Sequence, residues 1–276
     1  MPELPEVELV TQSLNKLVSG RKIFAAELLR ERLAPENPPP DFAAKLNDSQ
    51  INNVNRRGKH ILFDLNNGNT LITHLRMSGR FMLLPFEREL PKHTHAILYF
   101  ADETRLIFQD QRHFGLMKIV ETEKLSEAKE IKKLAPEPFS GEFDSKYFRA
   151  ALKTSKRSLK EFLLDQTKVC GLGNIYASEA MFLARINPQI SADKLPPRKA
   201  DVLHGKIRDV LHESIAHGST LNVNPENIDN SYYSGGYGNR WRVYAQENSP
   251  CTDCRTEIKR LKQGGRSTYF CPKCQK

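Results

Sequence analysis

Apolar side chains at Val7, Val10, Leu14 and Leu17 recur every three or four residues directly after Pro5, and Gly20 follows where a C-cap belongs. This spacing predicts one N-terminal helix. Beyond it the period shortens to that of strands. His60–Leu65 and residues 70–75 flank Asn66-Asn67-Gly68-Asn69, whose Asn-Gly pair predicts a tight hairpin. Residues 96–100 and 105–109 predict a second hairpin around 101–104. The run Pro35-Glu-Asn-Pro-Pro-Pro40 reads as a surface loop of polyproline character. Residues 121–140 become charged and then proline-rich, a candidate linker. Helical spacing then returns, first at Leu159, Phe162 and Leu163, then over 175–183, and again over 200–217 up to Gly218. The chain thus reads as α+β: a β-rich first half carrying one helix, then a helical second half.

The 276 residues suffice for two domains with their own cores and a small appendage. No apolar run approaches membrane-spanning length, which predicts a soluble protein without a membrane partner. The N-terminus has no apolar signal segment, so an oxidising compartment is not indicated.

Four of the five cysteines fall as Cys251-x2-Cys254-x16-Cys271-x2-Cys274. Two close pairs on tight turns, joined across Gly264-Gly265, match a tetrahedral structural zinc site. Iron–sulfur runs space their cysteines more tightly. Cys170 is left over and reads as a buried, inert thiol. The same terminus concentrates positive charge: residues 251–276 hold seven Lys or Arg against Asp253 and Glu257, a net +5 out of the chain's +9. Such a run is often just a solvated face. Fixed on a rigid metal hairpin, it suits phosphates, and nucleic acid is the favoured partner.

The chain opens Met1-Pro2-Glu3-Leu4-Pro5-Glu6. A small second residue favours removal of the initiator methionine, which would leave Pro2 a free secondary amine with a pKa of about 8. Such an amine can attack a sugar carbon and form an iminium ion, with Glu3 and Glu6 on hand for proton transfer. The plainer alternative is a helix start with Pro5 in the first turn and glutamates complementing its dipole.

Taken with Val169-Cys-Gly-Leu-Gly-Asn174-Ile-Tyr-Ala-Ser-Glu, Arg56-Arg57-Gly58-Lys59 and Asp110-Gln-Arg-His-Phe-Gly115, the two ends of the chain resemble the formamidopyrimidine-DNA glycosylase family along nearly its whole length. The resemblance implies an N-terminal helix plus β-sandwich domain over 1–133. It implies a helix–two-turn–helix domain with a lesion loop over 134–240, and a zinc finger holding one structural Zn2+ over 241–276. It further implies a bifunctional glycosylase and AP lyase of base-excision repair, which excises oxidised purines such as 8-oxoguanine and formamidopyrimidines through a Schiff base and then nicks by β- and δ-elimination, acting on double-stranded DNA that contains oxidised bases or abasic sites. On that likeness Pro2 is the nucleophile and Glu3 the acid that protonates the opening deoxyribose, with Glu6 a supporting carboxylate behind them. Lys59, Asn174 and Arg266 match the phosphate clamp, with Lys59 and Arg266 counted in the catalytic set, and Lys160 is a further DNA contact.

Met77, Arg112 and Phe114 match the trio that fills the gap left by an extruded nucleotide. Each of these has a plainer alternative. Met77 and Phe114 could be core residues after their strands, Lys59 a solvated charge, and Asn174 the N-cap of the helix that follows.

Residues 219–240 are polar and rich in Asn, Gly and Tyr, and depart from the family's usual text at Leu221-Asn-Val-Asn-Pro-Glu. They leave the base preference open. An endonuclease VIII-like enzyme for oxidised pyrimidines is the first alternative, against which Leu4 stands where glycine is usual. A non-catalytic zinc-ribbon DNA-binding protein is the second. A cytoplasmic, nucleoid-associated monomer is expected.

Overall fold

In the computed structural model, which describes residues 2–220 and 236–276, Leu4 and Pro5 open helix α1 (Leu4–Val18), where proline's missing N–H is no loss. Glu6 in the first turn and Lys16 in the last complement the helix dipole. Val7, Val10, Leu14 and Val18 form its buried stripe. Two compact units divide the chain. One runs through Lys132 and takes up again from Gly218; the other covers Lys133–His217 and resumes at Gly236.

The first unit carries eight strands: β1 (Ile23–Leu28), β2 (Ile51–Arg57), β3 (His60–Leu65), β4 (Asn69–His74), β5 (Gly79–Pro85), β6 (Thr94–Phe100), β7 (Thr104–Asp110) and β8 (Leu116–Glu121). They form two antiparallel sheets, ordered β1-β6-β7-β5 and β2-β3-β4-β8. Their inner faces share one core with α1 and helix α2 (Pro39–Leu46). Phe81 sits at its centre, with Phe63 at 5.4 Å and Phe108 at 5.2 Å between ring centroids. The middle of strand β3, Ile61–Phe63, is an unbroken apolar run because both its faces are covered. Ile61 and Phe63 point into the core, while Leu62 packs with Ile72, Ala128 and Leu125 on the far side.

The two predicted hairpins form, and β1, β2, β5 and β8 add to them without such turn text; β2 is Ile-Asn-Asn-Val-Asn-Arg-Arg, too polar for a strand signal, and is held by pairing with β3 and by Ile51 and Val54 in the core. The predicted polyproline loop is corrected at its end. Pro39 and Pro40 are the first residues of α2, since a fixed φ near −65° suits a first turn.

The second unit holds α3 (Ser145–Lys153), α4 (Leu159–Leu164), α5 (Asn174–Leu183) and α6 (Pro197–Ala216), followed by the hairpin β9 (Lys259–Gln263) and β10 (Arg266–Phe270). Asp144 caps α3 by accepting from the Tyr147 amide at 2.6 Å. Ser158 caps α4. Residues 165–173, a turn at 166–168 followed by a bend at 169–171, connect α4 to α5. Among the described residues no helix is long and apolar enough to cross a membrane.

Candidate functional site

In the first unit the N-terminal residues are held from two directions. Pro2 is buried, and Glu3, at 2% exposure, forms the N-cap of α1 in extended conformation. The Glu3 amide donates to Glu6 Oε2 at 2.8 Å, one half of a capping box. Glu6 Oε1 accepts from Thr220 Oγ1 at 2.9 Å, just past the left-handed pair Gly218 and Ser219. One carboxylate therefore fixes both the Pro2–Glu3 peptide and the chain where it leaves α6. The plain helix start and the chemical reading coexist here: α1 does begin at these residues, and the acidic groups beside Pro2 are buried.

Lys59 lies in the tight turn joining β2 to β3, after Gly58 at φ 59°, and is buried rather than a solvated charge. Arg56 steadies this turn, its Nε donating to Glu8 on α1 at 2.6 Å and its Nη1 to Gly58 O at 3.1 Å. Across the sheet His60 faces His74 edge-on at 4.7 Å. Burial drives the His60 imidazole down to about 4, with the Arg76 cation adding to the effect against a hydrogen bond to the Arg57 carbonyl. His74 is lowered too, by burial first and then by His60, Arg76 and Lys59. His74 Nδ1 accepts from the Arg76 amide at 2.9 Å, which leaves the proton on Nε2.

Met77, at 37% exposure, and Phe114, at 52%, stand out of the surface, so the core alternative does not hold for either. Arg112 is exposed beside Phe114, its guanidinium 5.2 Å from the ring centroid. The three occupy two short loops, one from β4 to β5 and one from β7 to β8, which are tied through Ser78 and Asp110.

In the second unit, the segment before α5 is shaped by Gln166. Its Nε2 donates to Leu164 O at 3.0 Å and Leu172 O at 2.9 Å, and its Oε1 accepts from the Gly171 amide at 3.0 Å. Gly171 needs its φ of 78°. Gly173, not Asn174, is the N-cap, so the capping alternative for Asn174 fails. Asn174 Nδ2 instead donates to Ser267 O at 2.9 Å, joining the start of α5 to β10.

Lys160 corrects a second expectation. It is fully buried, and its ammonium donates to Asn174 O at 2.8 Å and Ser178 Oγ at 2.6 Å, which makes it a brace under α5 rather than a direct phosphate contact. Arg266 is exposed at the foot of the Gly264-Gly265 turn, whose φ values of 52° and 75° fit a two-residue hairpin loop.

The sulfur atoms of Cys251, Cys254, Cys271 and Cys274 all lie within 4.8 Å of one another. Two pairs are 3.9 Å and 3.4 Å apart, bracketing the ~3.8 Å edge of a tetrahedron with Zn–S of about 2.3 Å. The Cys274 amide points at Cys271 Sγ at 3.4 Å, as in a metal knuckle. Hydrogen bonds from Thr256 bring the Cys254 thiol down to about 6, and burial pushes Cys271 and Cys274 up. A dication would deprotonate all four. This donor set fits one structural zinc. The leftover Cys170 is buried, 3.7 Å from Glu137.

Glu179, which the sequence reading passed over, is fully buried in α5 and accepts the amides of Arg242, Val243 and Tyr244, each at 2.9 Å. Burial raises its carboxyl, and those amides with the Arg242 cation oppose the rise. Arg242 in turn grips Glu213 with two 3.0 Å bonds. An acid among the apolar residues of α5 was the available signal.

The β-sandwich with its buried N-terminal acids, and the helical unit ending in a zinc hairpin, define a DNA glycosylase of oxidised-base repair. The family model "Formamidopyrimidine-DNA glycosylase N-terminal domain" matches residues 1–117 and the family's H2TH domain residues 134–224; the "Zinc finger found in FPG and IleRS" matches residues 248–276. Formamidopyrimidine-DNA glycosylase of Listeria monocytogenes is 39% identical over all of both chains, and that of Pelotomaculum thermopropionicum 40% over all of this chain and 99% of its own. The Lactococcus lactis Fpg, solved as a complex with abasic-site DNA, superposes with a TM-score of 0.92 at 34% identity over 99% of each chain. The same enzyme has been solved with DNA containing an oxidised pyrimidine, again with a TM-score of 0.92. The chain belongs to the formamidopyrimidine-DNA glycosylase family.

Proposed function

We propose that Pro2, freed of Met1, is the nucleophile of an oxidised-purine glycosylase and AP lyase acting on 8-oxoguanine and formamidopyrimidines in duplex DNA. Its nitrogen bonds to C1′ as the C1′–base bond breaks. Glu3 delivers a proton to the ring oxygen as the deoxyribose opens, leaving an iminium ion on Pro2. Loss of a C2′ proton then expels the 3′ phosphate, and a second elimination expels the 5′ phosphate. Glu6 holds the Pro2–Glu3 peptide in place for this, and Lys59 and Arg266 assist the eliminations. Asn174, Lys59 and Arg266 bind phosphates, while Met77, Arg112 and Phe114 enter the vacated stack. Lys160 serves the DNA through Asn174.

The observation carrying this reading is the buried Glu3–Glu6 pair at the start of α1, beside the secondary amine that Pro2 would present. We divide the chain into modules 1–133, 134–240 and 241–276, a division supported by the ranges of the three family matches. We place it in the cytoplasm with the nucleoid, as a monomer; four thiols serving a metal suit a reducing compartment.

The test is borohydride trapping on a duplex with 8-oxoguanine opposite cytosine, followed by peptide mapping. A crosslink at Pro2 is expected. An adduct formed with an oxidised pyrimidine alone would move the chain to endonuclease VIII-like specificity, and no adduct with either lesion would overturn the chemistry.

A further inference from the structure

Met77 lies in the loop from β4 to β5, Arg112 and Phe114 in the loop from β7 to β8, and the first loop ends opposite the point where the second begins, Gly79 pairing with Asp110. Both depart from ordinary backbone: Arg76 has φ 54° and His113 φ 58°. Loops with left-handed residues and exposed large side chains at their tips need something beneath them. The group beneath both is the side chain of Asp110, at 1% exposure. Its Oδ1 accepts from Ser78 Oγ in the first loop and from the Arg112 amide at 3.1 Å in the second. Its Oδ2 accepts from the Gly115 amide at 2.7 Å.

Ser78 Oγ also accepts from the Arg112 amide, at 3.1 Å, closing a ring of three groups. Space is reserved for this arrangement. A Cβ on Gly115 would stand 2.7 Å from the Phe108 ring and 3.2 Å from Asp110 Oδ2, and one on Gly79 would stand 2.5 Å from Leu75 O.

We infer that Asp110, with Ser78, is the positioning residue of the space-filling trio: one buried carboxylate sets two loops in register so that Met77, Arg112 and Phe114 enter the DNA stack as a single wedge. This rests on the wedge assignment made above. Without the hub the two loops would move independently, and insertion would demand ordering them at each encounter, which slows extrusion without weakening the initial hold on DNA.

The experiment is stopped-flow fluorescence with 2-aminopurine beside an 8-oxoguanine·cytosine pair, read together with single-turnover base excision and affinity for undamaged duplex. The variants are Ser78→Ala, Asp110→Asn, Met77→Ala, Phe114→Ala and the double variant of Asp110→Asn with Phe114→Ala. Removing a hydrogen bond to a charged group predicts about a tenfold slower insertion and excision for Ser78→Ala and about a hundredfold for Asp110→Asn, with unchanged affinity for undamaged duplex. The double variant should be little slower than its slower parent, because the two residues act as one unit. Multiplicative losses, or a normal rate in Asp110→Asn and Ser78→Ala while Met77→Ala and Phe114→Ala are slow, would overturn the hub and leave the wedge standing. Normal rates in Met77→Ala and Phe114→Ala would remove the wedge, and the proposal with it. Ser78→Ala deletes one hydroxyl and keeps the test open should Asp110→Asn not fold.

Discussion

Glu6 does two jobs with two oxygens: Oε2 receives the Glu3 amide and Oε1 the Thr220 hydroxyl. Replacing it with alanine strands buried donors, at about 1–3 kcal/mol. Glu6→Ala should lower the melting temperature and slow excision together. Glu3→Gln keeps the shape but loses the transferable proton. It should reduce iminium formation by about 10²–10⁴ while leaving affinity for an abasic-site analogue intact, as borohydride trapping beside a binding titration would show. At this scale the sequence marked candidates where the residue pattern is rare, as with a second-position proline next to carboxylates, and the structure buries those carboxylates. The sequence was illegible where only environment decides. Lysine is ordinarily exposed, yet Lys160 is sealed under α5 because Asn174 O and Ser178 Oγ meet its ammonium. Nothing in the sequence distinguished Asn174 from a cap, since Gly173 could take that place only once the preceding turns were known.

Among elements, hairpins with strong turn text were readable and strands without it were not. Strand β3 is apolar over Ile61–Phe63 because it is covered twice, whereas β2 puts only Ile51 and Val54 into the core and is otherwise polar. The Gly264-Gly265 turn is the tip of the metal hairpin, where a Cβ on Gly264 would lie 3.1 Å from Glu161 Oε1 at a φ of 52°. Gly264→Ala should strain this turn and weaken DNA binding with zinc content unchanged, as metal analysis and a titration would show. The zinc itself holds a module with a small core of Phe182, Val243 and Ile258 around the cysteines. Removing the metal with a chelator, or Cys271→Ser, should unfold β9 and β10 and abolish tight DNA binding, while the β-sandwich melts as before. A single unchanged calorimetric transition would contradict this.

For the whole molecule the governing quantities are charge and pH. With a net charge of +9, and +5 of it on residues 251–276, affinity for duplex should fall steeply and linearly in log–log salt titrations. Buried His60 sets an acid limit. Its folded value near 4 lies below the ordinary 6.5, so the unfolded chain takes up the proton first. The stability it contributes is complete above pH 6.5 and is lost as pH falls towards 4, about 3 kcal/mol from this group alone. Denaturant midpoints should drop between pH 7 and pH 5, and His60→Gln should flatten that slope. The division into a β-rich and a helical part was visible as a change of period. The roles of Asp110 and Glu179 and the tie of Glu6 to Thr220 were not, because the partners lie far along the chain or are backbone amides that no side-chain pattern reports. Two of those carboxylates flank residues 221–235. Thr220 is moored on Glu6 before that stretch, and Arg242, Val243 and Tyr244 on Glu179 after it. These flanking contacts can be kept while the residues between them, which lie outside the described part of the chain, are exchanged like a cassette. Grafting a relative's text between these moorings would test whether that stretch sets lesion preference, with Pro2 and the metal hairpin left unedited.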